Sequence, residues 1–343
     1  MAYTTINKST DYFNSKIYTG TGSSQSITGI GHQPDLTVIK CRTAIESPVW
    51  TDAVRGVTNT LKSDTSGGTD VISTGLTAFG TDGFTAGGND AFNGNSQNYV
   101  SWNWKAGTTS IPSGGSLDAT AVSINTTAGF GIYSYTGNGA GVRSIAHGLG
   151  AIPKMFIVKR LNSSRDWAVY NASLPLADHL ELNNTDAKTG ANLWWSSRPT
   201  SSLIYFNADG QVNFNNSTYI MYAFTDVQGY SKFGSYTGNE NNDGTFVYTG
   251  FKPAFLIIKR SDQAQPWLLL DNKRGTYNVN QSKIFPNDSA VENTDTSNGV
   301  DFLSNGFKLR RNNGESNEAG TYIYMAFAEA PLVGTNNVPC TAR

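Results

Sequence analysis

Imidazole and thiol chemistry has little to draw on in this chain. There are three histidines, His32, His147 and His179, and two cysteines, Cys41 and Cys340. They form no His-x-His and no Cys pair, and no acidic run has the ligand spacing of a calcium loop. The expectation is therefore no metal and no cofactor, with both cysteines as free thiols. No Gly-x-Ser-x-Gly elbow marks a hydrolase nucleophile. The Gly-rich stretches GTGSSQS and GNGAGVRS lack the Lys-Ser/Thr that completes a phosphate loop.

Carboxylates offer one more route. Asp52 and Asp271 each begin an Asp-x-x-Arg-Gly motif, with Arg55-Gly56 and Arg274-Gly275. Cleavage of a glycan would need two such carboxylates across a cleft. An Arg three residues on gives the simpler reading, a structural pair that fixes the turn before the glycine. Asp52 with Arg55, and Asp271 with Arg274, are thus expected to touch, and no catalytic residue is assigned. The Lys and Arg that recur at strand ends are expected to be solvated.

The tryptophans divide in two. Trp50, Trp167 and Trp267 recur eight to ten residues after Lys40, Lys159 and Lys259, which suits core packing. Trp194 and Trp195 lie in ANLWWSSRP, among polar residues and without a matching segment elsewhere. Neighbouring strand residues face opposite ways, so one indole is expected at the surface. There it would stack on a sugar or fill a pocket in another chain. A local core role is the alternative.

These residues sit in a repeat. Tyr-Thr-Gly occurs at Tyr18, Tyr135 and Tyr236. A Pro-led apolar run ends in Lys six residues later: PDLTVIK, PKMFIVK and PAFLIIK. Phe79, Phe206 and Phe302 precede Asp82-Gly83, Asp209-Gly210 and Asn305-Gly306, which read as hairpins. Alternating segments close each copy: YVSWNW, YIMYAF and YIYMAF. Ordered anchors of this kind define an internal repeat. The expected fold is all-β, with three tandem antiparallel β-sandwich modules of jelly-roll type. Their spans are 1–107, including an N-terminal arm, then 128–227 and 232–331. Residues 108–127, rich in Ser, Gly and Thr, read as a flexible linker, and 332–343 as a tail. The second and third modules are expected to pack together, with the first freer to move.

Composition excludes some partners. The 343 residues carry a net charge of -1, and charged residues make up only 15%. Nothing there neutralises phosphates, so nucleic acid is excluded. No apolar run is long enough to span a bilayer, so no membrane insertion is expected. The N-terminal segment does not read as a signal peptide.

The segments YTGTGSSQSITGIGHQPDLTVIKCR, DAVRG, FGTDGF, YVSWNWKAG and YIYMAFAEAP resemble a repeated module of virion-associated proteins in marine bacteriophages. The resemblance covers nearly the whole chain. It implies a non-enzymatic structural protein in the virion, made in the host cytoplasm. A tail fibre or appendage that recognises the host surface is its expected place. Capsid decoration and a glycan-degrading tailspike are the alternatives. Implied partners are other virion proteins, a host surface glycan and further copies of the chain, as in a trimer.

Overall fold

The computed structural model describes residues 3–190, 194–330 and 333. Its regular structure is nearly all β, arranged in antiparallel sheets. Cys340 and almost all of the expected tail lie outside the described residues.

Each copy contributes four strands in one order: opening, closing, proline-led and exit. In the first copy these are Phe13–Thr19, Asn98–Trp104, Leu36–Cys41 and Val49–Asp52. In the second they are Phe130–Thr136, Thr218–Thr225, Pro153–Arg160 and Ala168–Asn171. In the third they are Ser231–Thr237, Thr321–Ala328, Pro253–Arg260 and Leu268–Asp271. The Tyr anchors explain part of the register. Tyr18 pairs with Tyr99, Tyr135 with Tyr219, and Tyr236 with Tyr322. Their rings stack with centroids 5.1, 5.0 and 5.0 Å apart, as cross-strand aromatic neighbours do.

One face of each large sheet is covered by a small sheet of the same copy. The first copy uses Gln25–Thr28, Gly83–Ala86 and Leu76–Gly80. The third uses Phe246–Tyr248, Gly306–Leu309 and Val300–Leu303. The second keeps only Arg143–Ala146 and Leu203–Phe206. Ile27, Leu76 and Phe84 pack with Ile39, Val49 and Tyr99 in one such core.

The other face of each large sheet is apolar. Alternation along the closing strands sends Val100, Trp102 and Trp104 to this face. Ile220, Tyr222 and Phe224 join them from the second copy, and Ile323, Met325 and Phe327 from the third. All nine belong to one continuous core. Phe327 lies 5.8 Å from Trp104 and 6.2 Å from Phe224, centroid to centroid. A cavity of about 30 Å³ remains there, walled by apolar side chains from all three copies, among them Val38, Ile157 and Ile257. The proline-led strands are buried on both faces for this reason.

Three expectations change. The first copy is not freer than the others, because the central core joins all three. Residues 108–127 are not simply a flexible linker. Ala119–Asn125 forms an edge strand of the second large sheet, paired with Phe130–Thr136. Asp209-Gly210 is not a hairpin. The Asp209 side chain accepts the Gln211 N–H at 2.7 Å and its carbonyl accepts the Asn213 N–H at 2.7 Å. It therefore opens a helical turn before the closing strand. Asn89 and Asn313 do the same through Ala91 and Glu315. An Asx residue before Gly suits both roles, and the dipeptide alone does not separate them.

This realignment places Trp194 and Trp195. The Trp194 carbonyl accepts the Asn207 N–H at 2.9 Å, as Gly75 accepts from Gly87 and Gly299 from Arg310. Trp195 thus stands where Leu76 and Val300 stand, both fully buried. Both indoles are only 2% exposed. Trp194 stacks on His179, and Trp195 meets Phe156 and Tyr170 edge-on. The expected surface indole is absent, because residues 194 and 195 lie outside any strand and do not alternate. Trp195→Ala should lower the unfolding free energy by about 3–5 kcal/mol, the range for emptying a buried aromatic site. Denaturant unfolding measures it; a loss below about 1 kcal/mol would contradict the placement.

Candidate functional site

The side chains that could carry chemistry converge on the seams between copies. Each seam is built the same way, and the direction is cyclic: first to third, second to first, third to second. A pair of backbone hydrogen bonds repeats at each one. Glu46 N–H donates to Ser289 and Glu292 N–H to Arg42; Arg165 to Ser66 and Thr69 to Leu161; Gln265 to Thr185 and Lys188 to Ser261. In every seam the two bonds are offset by three residues on one partner.

A buried lysine spans each seam. Lys40 Nζ donates to the Cys41 and Glu46 carbonyls of its own copy and to Ser289 of the third, at 2.9, 2.8 and 3.0 Å. Lys159 donates to Arg160 and Arg165 and to Ser66 of the first copy, at 3.0, 2.9 and 3.0 Å. Lys259 donates to Arg260 and to Thr185 of the second copy, at 2.8 and 3.1 Å. All three lysines have no exposed surface. They are not the solvated strand ends expected from sequence. Burial pushes each ammonium down to about 8. The signal was present: a Lys closing an apolar run at one fixed spacing in every copy.

The Asp-Arg pairs also serve the seams. Arg55 Nε donates to Asp52 Oδ2 at 2.5 Å, and Arg274 Nε to Asp271 Oδ2 at 2.7 Å. Each carboxylate also accepts two backbone N–H groups of its own turn: Val54 and Arg55, or Lys273 and Arg274. A third partner comes from another copy. Tyr222 O–H donates to Asp52 at 2.8 Å, and Trp102 Nε1 to Asp271 at 3.0 Å. Burial holds the Tyr222 phenol well above its ordinary value, so it remains a donor. Both carboxylates have no exposed surface and are saturated with hydrogen bonds.

The tryptophans are related less simply than their order implies. Strand pairing sets Trp50 opposite Val38, the place that Val169 and Leu269 take opposite Ile157 and Ile257. Trp167 and Trp267 lie two residues earlier, where the first copy has Pro48. Trp167 Nε1 donates across its seam to Lys62 and Thr65, and Trp267 Nε1 to Glu181. Trp50 Nε1 has no hydrogen-bond partner among the described residues; its ring packs on Trp167 and Tyr222 instead. A shift of two residues keeps the face, so Trp50 stays in the central core while its indole N–H changes surroundings.

Elsewhere, an open groove of about 880 Å³ passes His32, Asp35, Lys105 and Ile111. Asp35 accepts from Ala106 N–H and Ser123 Oγ, so it holds the groove's own walls together. His32 is buried, with Nδ1 2.9 Å from the Thr10 carbonyl. Among the described residues, no three His, Cys, Asp or Glu side chains converge as a metal site requires.

The buried lysines yield a pH test. The ordinary lysine value is 10.5 and the folded value about 8. Between these, the unfolded chain holds a proton that the folded protein has released. Stability from each lysine therefore rises with pH across that window, by at most ~1.4 kcal/mol per unit, and is flat below it. The stability difference between wild type and Lys159→Met should shift toward wild type from about pH 7.5 to about pH 9.5. Urea unfolding at several pH values reads this; a pH-independent difference would contradict it.

The model of one family, described as Domain of unknown function (DUF7483), matches residues 8–331. No curated protein matches the chain, and no solved structure matches it.

Proposed function

The chain belongs to the DUF7483 family, and on that premise we propose that it is a non-enzymatic structural protein of a bacteriophage particle. Its place is a tail fibre or appendage that meets the host surface. Each large sheet with its small sheet is a jelly-roll-like β-sandwich module, and the three modules in tandem close into one body. The observation that carries the reading is where the recurring polar residues are used. Asp52, Arg55, Asp271, Arg274 and the three lysines make bonds within and between copies. The chain's repeated chemistry thus goes into holding a rigid scaffold, on which loops carry recognition. The resemblance of its segments to virion-associated modules supports the same reading. Other virion proteins, further copies of the chain and a host glycan are the partners.

Antibody labelling of purified particles of the encoding phage, imaged by electron microscopy, tests it. Label on the tail fibres or appendages is expected. Label on the head would replace the appendage with capsid decoration. Absence of the protein from the particles would overturn a virion role. Release of reducing sugar from host polysaccharide by the purified chain would overturn the non-enzymatic reading.

A further inference from the structure

The third copy differs from the others on the outer face of its small sheet. In Phe246–Tyr248, Val247 points inward and is 7% exposed, while Phe246 and Tyr248 point outward at 43% and 63%. Strand pairing aligns Val247, opposite Phe307, with Ile27, opposite Phe84, and with Ile145, opposite Ile204. The matching positions are Ser26 and Thr28, both exposed, in the first copy, and Ser144 and Ala146 in the second, both buried, where the Ser116 and Leu117 N–H groups donate to Ser144. The shared fold does not require aromatic rings there. The Tyr248 hydroxyl meets Tyr3 of the N-terminal arm, but its ring and that of Phe246 stay exposed on an edge strand, which needs another explanation.

The neighbours shape the surface. Tyr248 pairs with Gly306 and Phe246 with Lys308. A Cβ on Gly306 would come within 3.1 Å of Phe246 Cε2, so the glycine leaves room for the ring to lie across the strand pair. The two Cα atoms are roughly 7 Å apart along the strand, and both side chains leave it on the same side. Around them lie Lys308, 2.9 Å from Asp243, and Arg310, 3.2 Å from Asp301. The Asp243 side chain is 81% exposed. Two cations and two carboxylates leave the rim neutral overall but rich in donors and acceptors.

We propose that Phe246 and Tyr248 form a stacking platform for a neutral pyranose chain, with Asp243 and Lys308 bonding its hydroxyls. The C–H face of a pyranose covers an aromatic ring, and its edge hydroxyls need charged or amide partners. A rim with no net positive charge offers a polyanion such as a uronic acid polymer no net attraction. The platform deepens the host-recognition reading and rests on it for the source of the glycan.

Native gel electrophoresis of the full chain through gels containing a soluble neutral polysaccharide tests the proposal. The probes are an α-glucan, a β-1,3-glucan, a galactomannan and a xylan, one per gel. At least one should retard the wild type. The double variant Phe246→Ala, Tyr248→Ala should lose the retardation, with an apparent affinity at least tenfold lower. Phe246→Trp should keep it. Both positions are exposed, so the double variant should melt as the wild type does. Retardation of the wild type in none of the gels, or equal retardation of wild type and double variant, would overturn the platform. Protection of the two rings by another virion protein instead would also overturn it. Particle labelling is scored separately, so a failed platform leaves the virion reading intact, and the reverse.

Discussion

The structure depends on one constraint: each large sheet is buried on both faces. A small sheet covers one face from within the copy. The other carries residues such as Trp102, Trp104, Tyr222, Phe224, Met325 and Phe327, which would otherwise face water. Burying one such side chain is worth roughly 1.5–3 kcal/mol, so three uncovered faces would make the separate copies poor monomers. Packing the three faces on one another removes the exposure at once. That arrangement then brings the edges of the copies together and creates seams with polar backbone to satisfy.

The seams meet that need with one device used three times. A lysine donates to carbonyls on both sides and is paired with two backbone bonds between copies. Divergence has altered the other links, though not at random. The seam from the second copy to the first has both the Tyr222–Asp52 bond and the Trp167 indole bond. The seam from first to third keeps Trp102–Asp271 but lacks a counterpart of the Trp167 bond, because Pro48 stands in that place. It adds a two-point pair between Arg42 and Glu292, at 2.6 and 3.1 Å. At the third seam the ionic set is replaced as a whole. Asn171 stands for the Asp, Leu174 for the Arg and Met325 for the donor on the closing strand. Leu174 and Met325 lie in the central core. Changing one member alone would have left a buried charge unpaired, whereas exchanging the set for apolar groups is tolerated.

Much of this was legible in the sequence. The all-β class follows from short alternating runs and turn residues, and the repeat from Tyr, Pro-to-Lys and closing-strand anchors. The Asp-x-x-Arg spacing matches a contact, since three residues is the reach of one turn. What escaped depends on long-range packing. Lys40, Lys159 and Lys259 look solvated until another copy's carbonyls are placed beside them. Residues 108–127 look like a linker because the Ser-, Gly- and Thr-rich stretch before Ala119 masks the short edge strand that follows it. Trp194-Trp195 looks unmatched because Leu76 and Val300 fill the same place with different shapes. Trp50 looks equivalent to Trp167 because order survives a two-residue offset that only strand pairing exposes. Phe246 and Tyr248 read as ordinary strand residues; only their exposure sets them apart.

The account turns on closure of the ring between the first and third copies, which are far apart along the chain. The contact between Trp102 Nε1 and Asp271 Oδ2 lies in that seam. A double-mutant cycle with Trp102→Phe and Asp271→Asn, read by denaturant unfolding, measures it directly. Closure predicts a coupling of about 1 kcal/mol or more between the two sites. Losses that add to within about 0.5 kcal/mol would mean that the residues do not meet, and the ring would not be closed there.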